Sequence, residues 1–258
     1  MAENWLMGLL CGDSDLAVVA RVLEALTLGW SGNPMLIDFL TTASVAVDKG
    51  LQLSAIWCKV QLGLHQDTDL SALLSLCAWR DGVGYLHRAQ VGESLVQGWL
   101  DNPELVEICL GTLNGSITRY DEIEKEIAQH YLLSCSADNA QICVWIAREL
   151  QSEHPFVLRL GQDWGQLLKF SEMDSEVREL LVLAVISKRV EHQEYVARPV
   201  YNCLQDPRIK QHLMDRVKKT EGFSVFWALA PLVEGWAAEL PEVRELVQEV
   251  LLWPDERR

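Results

Sequence analysis

Histidine is the residue type in this chain that most directly offers acid–base or metal chemistry near neutral pH. The histidines are His65, His87, His130, His154, His192 and His212. None lies in an H-E-x-x-H segment or beside a second ligand at zinc-site spacing. The segment HQEYV at 192–196 has one histidine and one glutamate but no second histidine. This spacing indicates that the histidines lie on the surface or are hydrogen-bonded within the core. We therefore expect the protein to have no metal site and no cofactor.

Carboxylates and nucleophiles give an equally weak indication of catalysis. The sequence has no G-x-S-x-G and no G-x-x-x-x-G-K-[ST] segment, which are signatures of α/β-hydrolases and P-loop NTPases. Asp67 and Asp69 could form an acid–base pair, but they precede an apolar run from Leu70, where negative charge stabilises a helix start. The acidic segment at 119–127, RYDEIEKEI, is typical of a solvated helix face, or alternatively contacts a basic partner. We predict no catalytic residues and no enzymatic activity, and the sequence identifies no binding residues.

The cysteines predict free thiols. They are Cys11, Cys58, Cys77, Cys109, Cys135, Cys143 and Cys203. Their number is odd, no two have C-x-x-C spacing, and most lie among aliphatic residues, where a thiol behaves as a small hydrophobe. This usage indicates a reducing compartment, and we expect a cytoplasmic protein.

The amino-terminal segment does not have the features of a targeting signal. No Lys or Arg precedes its short apolar run at 5–11, and Leu10 stands where a lipoprotein signal needs a small residue before Cys11. No stretch of 18 apolar residues occurs, so we predict no membrane span.

Composition and charge narrow the classes of partner. The chain has 258 residues, of which 49% are hydrophobic and 23% charged, as in soluble globular proteins. Its net charge of −15 repels phosphate backbones, which disfavours nucleic-acid binding. A local basic strip could still contact an anion, although a solvated helix face is the favoured interpretation. The strip consists of Lys210, Arg216, Lys218 and Lys219.

A Gly-Trp-x-x-Asn-Pro pattern occurs as LGWSGNP and QGWLDNP, and in altered form as EGWAAELP. These segments span 28–34, 97–103 and 234–241. In the first copy, Gly29 follows an apolar helix face and predicts a left-handed helix end, against which Trp30 packs into the core. Asn33 then predicts an N-cap, with Pro34 at the first helical position. The pattern predicts a helical hairpin with a loop of about four residues.

The spacing of the three copies predicts a repeat. The glycines of the first two copies are 69 residues apart, and this interval corresponds to two helix pairs of about 34 residues each. The glycine of the third copy follows after about twice the same interval. Degraded copies of the pattern are traceable near Trp79–Gly82 and Gly161–Gly165. The third copy lacks the asparagine, so we expect the helix that follows it to be less well capped. Other helix starts are predicted at Asp138 or Asn139, at Asp174–Ser175, and at Asp206–Pro207.

The predicted fold is all-α: a right-handed HEAT/ARM-like α-solenoid of six to seven antiparallel helix pairs, with twelve to fourteen helices. We expect one elongated domain over 1–258, in which 112–123 and 192–201 are longer connections. The segment 1–11 resembles a helix without its partner, and the chain stops just after an apolar face. Since a complete solenoid needs polar terminal caps, we expect the chain to belong to a longer array or to pack against another element at each end.

The Gly-Trp segments resemble HEAT-like repeats, and more narrowly the HEAT arrays C-terminal to NACHT-type STAND NTPases of bacteria. The resemblance covers about three repeats. It rests on Gly29-Trp30-Asn33-Pro34, Gly98-Trp99-Asn102-Pro103 and Gly235-Trp236-Pro241. It implies a curved, non-catalytic sensor or scaffold that binds a protein or ligand and controls an adjoining NTPase domain. The alternatives are a free-standing scaffold or a HEAT-like enzyme, either a bilin lyase or an alkylpurine DNA glycosylase, and the glycosylase would require a basic groove.

Overall fold

The computed structural model describes residues 2–10, 15–77, 85–115, 122–152, 164–186, 205–219, 224–236 and 241–252. Within these ranges the chain forms fourteen α-helices and no β-strand, which confirms the predicted all-α class. The helices are α1 (Ala2–Leu10), α2 (Leu16–Gly29), α3 (Pro34–Ala43), α4 (Lys49–Gln61), α5 (Asp67–Cys77), α6 (Tyr85–Trp99), α7 (Pro103–Leu113), α8 (Glu122–Ser134), α9 (Ala140–Gln151), α10 (Trp164–Met173), α11 (Ser175–Ile186), α12 (Pro207–Lys219), α13 (Ser224–Trp236) and α14 (Pro241–Leu251). No helix in these ranges is long and apolar enough to cross a membrane.

The chain divides into two compact units, and the first is Met1–Cys135. In this unit α2 packs against α4, α4 against α6, and α6 against α8. The intervening helices pack against this row: α3 against α4, α5 against α4 and α6, and α7 against α8. Helices that are two apart in the sequence therefore lie side by side. The prediction that residues 1–258 form one domain, and the prediction that the helices stack into a right-handed solenoid, stay predictions.

The core of the first unit follows the helical spacing of its apolar residues. Leu23 and Leu26 of α2 and Leu36 and Leu40 of α3 are fully buried, and Ile56 of α4 is buried as well. The three-and-four spacing places each pair on one helix face. Burying each of these side chains stabilises the fold by about 1.5–3 kcal/mol.

The second unit, Ser136–Arg258, contains α9 to α14. Here α11 packs against α9, α10 and α12, and α13 packs against α12 and α14. Arg208 of α12 donates two hydrogen bonds to Glu179 of α11, at 2.6 and 2.8 Å, and it also bonds Asp206. These bonds hold the pKa of both carboxyls below their usual values. Since the arginine and the glutamate are exposed, the pair orients the two helices more than it stabilises them.

The helix starts predicted from asparagine and aspartate are confirmed. The Asn33 side chain accepts hydrogen bonds from the backbone N–H groups of residues 35 and 36, and Asn102 accepts one from residue 105. Asn139, rather than Asp138, caps α9, and Asp174 caps α11. Asp206 likewise accepts a hydrogen bond from the first turn of α12. Residues 237–240, which precede α14, lie outside the described ranges, so the predicted weaker capping of this helix stays a prediction. The degraded copies near Trp79–Gly82 and Gly161 also lie outside these ranges.

The predicted left-handed conformation of the Gly-Trp glycines is wrong. Gly29 and Gly98 lie within α2 and α6 and do not have positive φ. Among the described glycines, positive φ occurs at Gly63 and Gly115, just after α4 and α7. In the second copy Asp101 takes the left-handed position, with φ 59°.

What the two complete copies share is the hydrogen bonding of the loop. The N–H of Asn33 donates to the carbonyl of Trp30, and the N–H of Asn102 donates to the carbonyl of Trp99, at 3.1 Å in both cases. The pattern therefore closes a tight turn from tryptophan to asparagine and caps the next helix. It does not build an isolated hairpin, because α3 packs more extensively against α4 than against α2.

The tryptophans of the repeated pattern contribute to the core, as predicted. Trp99 and Trp236 are buried, at the ends of α6 and α13. Trp30 is half-buried and packs against the apolar cluster of the first unit.

Candidate functional site

The aspartates that could have formed an acid–base pair are in different environments. Asp67 is exposed, whereas Asp69 is buried and pairs with Lys59 of α4, whose Nζ lies 2.8 Å from Oδ1 and 2.7 Å from Oδ2. Asp69 Oδ2 also accepts a hydrogen bond from the N–H of Gln66, at 2.8 Å. Asp69 thus reaches back to cap its own helix and neutralises a buried lysine, which is a structural role. The prediction that it belongs to the α5 helix start is confirmed, while Lys59 was not foreseen as its partner.

The described histidines are not gathered into a group that could hold a metal ion. His65 is half-buried and packs edge-on against Trp99, with ring centroids 4.9 Å apart. His130 and His212 are half-buried in α8 and α12. Within the described ranges no group of three or more histidine, cysteine or acidic side chains could hold a metal ion. His154 and His192 lie outside these ranges, and so does the side chain of His87.

The described cysteine side chains are buried free thiols. They are Cys58, Cys109, Cys135 and Cys143. Burial raises the pKa of Cys58 to about 12, although the Thr27 hydroxyl lowers it, and burial also raises the pKa values of Cys135 and Cys143. The thiols of Cys58, Cys135 and Cys143 are therefore protonated near neutral pH and act as small core residues and not as nucleophiles.

The basic strip of α12 is partly neutralised. Lys210 pairs with Glu242 of α14, and Arg216 also has a partner. Lys218 and Lys219 are exposed in the last turn of α12, where positive charge favours a helix end. In the acidic segment, the exposed Glu126 fits the solvated-face interpretation.

The carboxyl end of α4 carries a glycine in the left-handed conformation, which was predicted for Gly29. Gly63 has φ 67°, and its N–H donates to the carbonyl of Val60 at 3.0 Å. The N–H of Leu64 donates to the carbonyl of Lys59 at 2.8 Å. This pair of bonds is the Schellman motif, and it turns the chain sharply so that Leu62 and Leu64 face the end of α2.

A groove lies between the end of α2, the following loop, α3 and this Schellman turn. It has a volume of about 520 Å³ and is open to solvent. Its lining residues are Thr27, Leu28, Ser31, Gly32, Ile37, Gln61, Leu62 and Leu64. Apolar side chains alternate with hydroxyl and amide groups, and none of these eight residues is charged. Such a mixture is typical of a binding surface, and the eight lining residues include no histidine, cysteine or carboxylate.

The end of α6 lies directly beside the end of α4. A Cβ on Gly98 would come within 3.2 Å of Val60 Cγ2 and 3.6 Å of the His65 ring. The side-chain amide of Gln61 donates a short hydrogen bond to that of Gln97. Gly98 therefore allows the close approach of the two helices at Val60 and His65.

Tyr131 of α8 fixes the loop that follows. Its hydroxyl donates to the carbonyl of Trp99 at 2.6 Å and accepts from the N–H of Asn102 at 3.2 Å. Burial raises the pKa of this phenol, so the hydroxyl stays protonated and can donate. The loop that carries Leu100 and Asp101 is thus held at both ends.

Three exposed leucines stand at the carboxyl ends of the helices in this row, and we call them the leucine edge. Leu28, Leu64 and Leu100 are 77%, 38% and 48% exposed. Exposed carboxylates follow close in the sequence, at Asp67 and Asp101. The leucine edge and the groove make up the candidate functional site. In the sequence, this site is indicated only by a leucine beside each helix end. That pattern points to a shared surface only when the packing of α2, α4 and α6 is known.

Comparison with models of protein families, with curated proteins and with solved structures found no match to this chain.

Proposed function

We propose that the chain is a non-catalytic protein-interaction module of the sensor type, and that it binds its partner along the leucine edge and the adjoining groove. The observation that carries the proposal is the groove itself. It leaves Leu28 and Leu64 open to solvent at the ends of two packed helices, and no charged residue or histidine lines it. Exposed apolar side chains gathered beside a groove mark a site for another molecule.

The architecture proposed is a right-handed HEAT-like solenoid. The row α2, α4, α6 and α8 supports it, because stacked helix pairs bring every second helix into contact. The repeated Trp-to-Asn turn at Trp30 and Trp99 supports it too. In such an array the ends of successive helices form a continuous edge, which suits a long partner.

The partner proposed is a protein segment with positive charge and apolar side chains. The net charge of −15 attracts cations at long range, whereas the leucines require apolar contact for affinity. Lys59, the lysine nearest to the groove in sequence, is neutralised by Asp69 and does not oppose such a partner. We place the module in the cytoplasm, where its buried thiols stay reduced.

The sensor part of the proposal rests on the Gly-Trp resemblance to arrays attached to NACHT-type STAND NTPases. Sequencing the coding DNA upstream of residue 1 tests it. We expect a P-loop NTPase in the same reading frame. A stop codon directly upstream contradicts the sensor assignment and favours a free-standing scaffold.

Site-specific photocrosslinking in cells of the source organism tests the binding surface. A photoreactive amino acid at Leu64 should yield a discrete adduct with a second protein. The matched control places it at Val47, which is 94% exposed and does not line the groove. Equal adducts at the two positions, or none at Leu64, would contradict the proposed surface.

A further inference from the structure

The turn between α4 and α5 supplies part of the groove lining through Leu64, and this turn is bonded twice to Lys59. The Lys59 carbonyl accepts a hydrogen bond from the N–H of Leu64 at 2.8 Å. The Lys59 ammonium lies 2.7 Å from Asp69 Oδ2, and the same oxygen accepts a hydrogen bond from the N–H of Gln66 at 2.8 Å. Residues 64–66 are therefore tied at both ends to one residue of α4.

Burial of the ion pair distinguishes a positioning role from a stabilising one. Lys59 and Asp69 are 6% and 4% exposed. Removing two charges from water costs about as much free energy as their attraction returns, so an apolar pair of similar volume would stabilise the fold equally well. An apolar pair could not, however, accept a directed hydrogen bond from the N–H of Gln66. What the ion pair adds to the fold is therefore a fixed position for the turn.

The residue between the two tied N–H groups is His65, and it links the turn to α6. Its ring packs edge-on against Trp99, with ring centroids 4.9 Å apart. Its buried Nδ1 has no hydrogen-bond partner among the described residues. The ring is thus held by packing and by the backbone that carries it, so the position of that backbone determines how the turn meets both the groove and α6.

We propose that Lys59 and Asp69 form a clamp on the N–H groups of Leu64 and Gln66, and that both are positioning residues for a partner bound in the groove. This inference rests on the proposed function and deepens it. A turn that is already fixed loses little conformational freedom when a partner binds, and the smaller ordering cost increases the affinity. The clamp keeps Leu64 in place before the partner arrives.

The double variant Lys59→Met with Asp69→Leu separates positioning from stability, because it removes both charges and leaves neither unpaired. Its free energy of unfolding in urea should stay close to that of the wild type. Hydrogen exchange, read at single residues by NMR, then reports on the turn. The N–H of Leu64 keeps its acceptor, the carbonyl of residue 59, yet it should exchange at least about tenfold faster because the other end of the turn is released.

A second double variant isolates the link to α4. Lys59→Met with Asp69→Asn still offers a side-chain oxygen to the N–H of Gln66, and it breaks only the bond between the side chains at 59 and 69. This variant should also accelerate exchange at Leu64. It provides the same test on a chain that keeps a polar residue at the start of α5.

Gln52→Leu is the matched control, since Gln52 is a buried polar residue near the amino-terminal end of α4. Its amide donates to the carbonyl of Ser44 at 3.1 Å, in the loop before α4 and not in the clamped turn. Exchange at Leu64 should not change in this control. A photoreactive amino acid at Leu28, which lines the groove from α2, then reports on binding in cells of the source organism. Its adduct should fall by about fivefold in the double variants and stay at the wild-type amount in the control.

The outcomes separate the clamp from the proposed function. Unchanged exchange at Leu64 in the double variants overturns the clamp. Faster exchange with an undiminished adduct at Leu28 overturns the positioning role and leaves the interaction module standing. No adduct at Leu28 even in the wild type contradicts the proposed function instead, while exchange at Leu64 still decides whether the clamp exists.

Discussion

Gly29 and Gly98 occupy the same place in the two complete Gly-Trp copies, yet the structure predicts opposite responses to alanine. A Cβ on Gly98 would come within 3.2 Å of Val60 Cγ2, and Val60 is itself buried. A Cβ on Gly29 would meet nothing within 4 Å. Neither glycine has positive φ, so backbone strain enters neither case.

The magnitudes follow from helix propensity and packing. Replacing glycine by alanine in a helix gains up to about 1 kcal/mol, and less at a helix end such as Gly29. Overpacking a tight core contact costs roughly 1–3 kcal/mol. We therefore expect Gly29→Ala to change the free energy of unfolding by about 0 to +0.5 kcal/mol. Gly98→Ala should lower it by about 1 kcal/mol, and Gly98→Val by roughly 2–3 kcal/mol, because two further methyl groups must fit beside Val60 and His65.

Urea unfolding followed by circular dichroism measures these differences, with the wild type and each variant at the same protein concentration. The double variant Gly98→Ala with Val60→Ala provides a matched control, because removing the valine methyls opens the contact. Its loss should be smaller than the sum of the two single losses. Equal destabilisation by Gly29→Ala and Gly98→Ala would refute the close-contact explanation.

Three further substitutions and one labelling experiment test other contacts. Tyr131→Phe removes a hydroxyl that both donates and accepts a hydrogen bond, and it should lower the free energy of unfolding in urea by about 1–3 kcal/mol. Lys59→Met should cost about 3–5 kcal/mol because it leaves Asp69 buried and unpaired, and the double variant with Asp69→Leu should recover most of this loss in a double-mutant cycle. Asn139→Ala should cost about 1 kcal/mol, and a loss below ~0.3 kcal/mol would contradict its capping role. With its pKa raised to about 12, Cys58 should resist iodoacetamide at pH 8 until urea unfolds the chain, as read by peptide mass spectrometry, and rapid labelling of the folded chain would contradict its burial.

The parts of the fold that were predictable from the sequence are those determined by neighbours within one helical turn. Asn33 and Asn139 cap helices through bonds to residues two or three positions away, and Asp174 does the same. Such chemistry is visible in any short window of sequence. The all-α class followed from the same windows.

The site could not be predicted because its contacts join distant residues. Lys59 pairs with Asp69 across a helix end, Gln61 meets Gln97, and Tyr131 bonds a loop about thirty residues earlier in the chain. No local pattern specifies which helix lies beside which. The glycine of the Gly-Trp pattern shows the same limit. The presence of glycine in each copy suggests a left-handed helix end. At position 98, however, glycine is required because a Cβ would come too close to Val60 of the neighbouring helix α4.

The shared Trp-to-Asn turn gives the chain a convenient point for recombination. Trp30 and Trp99, 69 residues apart, begin turns that close with the same Trp-to-Asn hydrogen bond, each followed by a capping asparagine and a helix that starts with proline. A gene duplication or deletion with both breakpoints at these tryptophans joins a helix end to a helix start through a turn that keeps this hydrogen bond. The protein can thus lengthen or shorten in steps of that size without having to evolve a new turn.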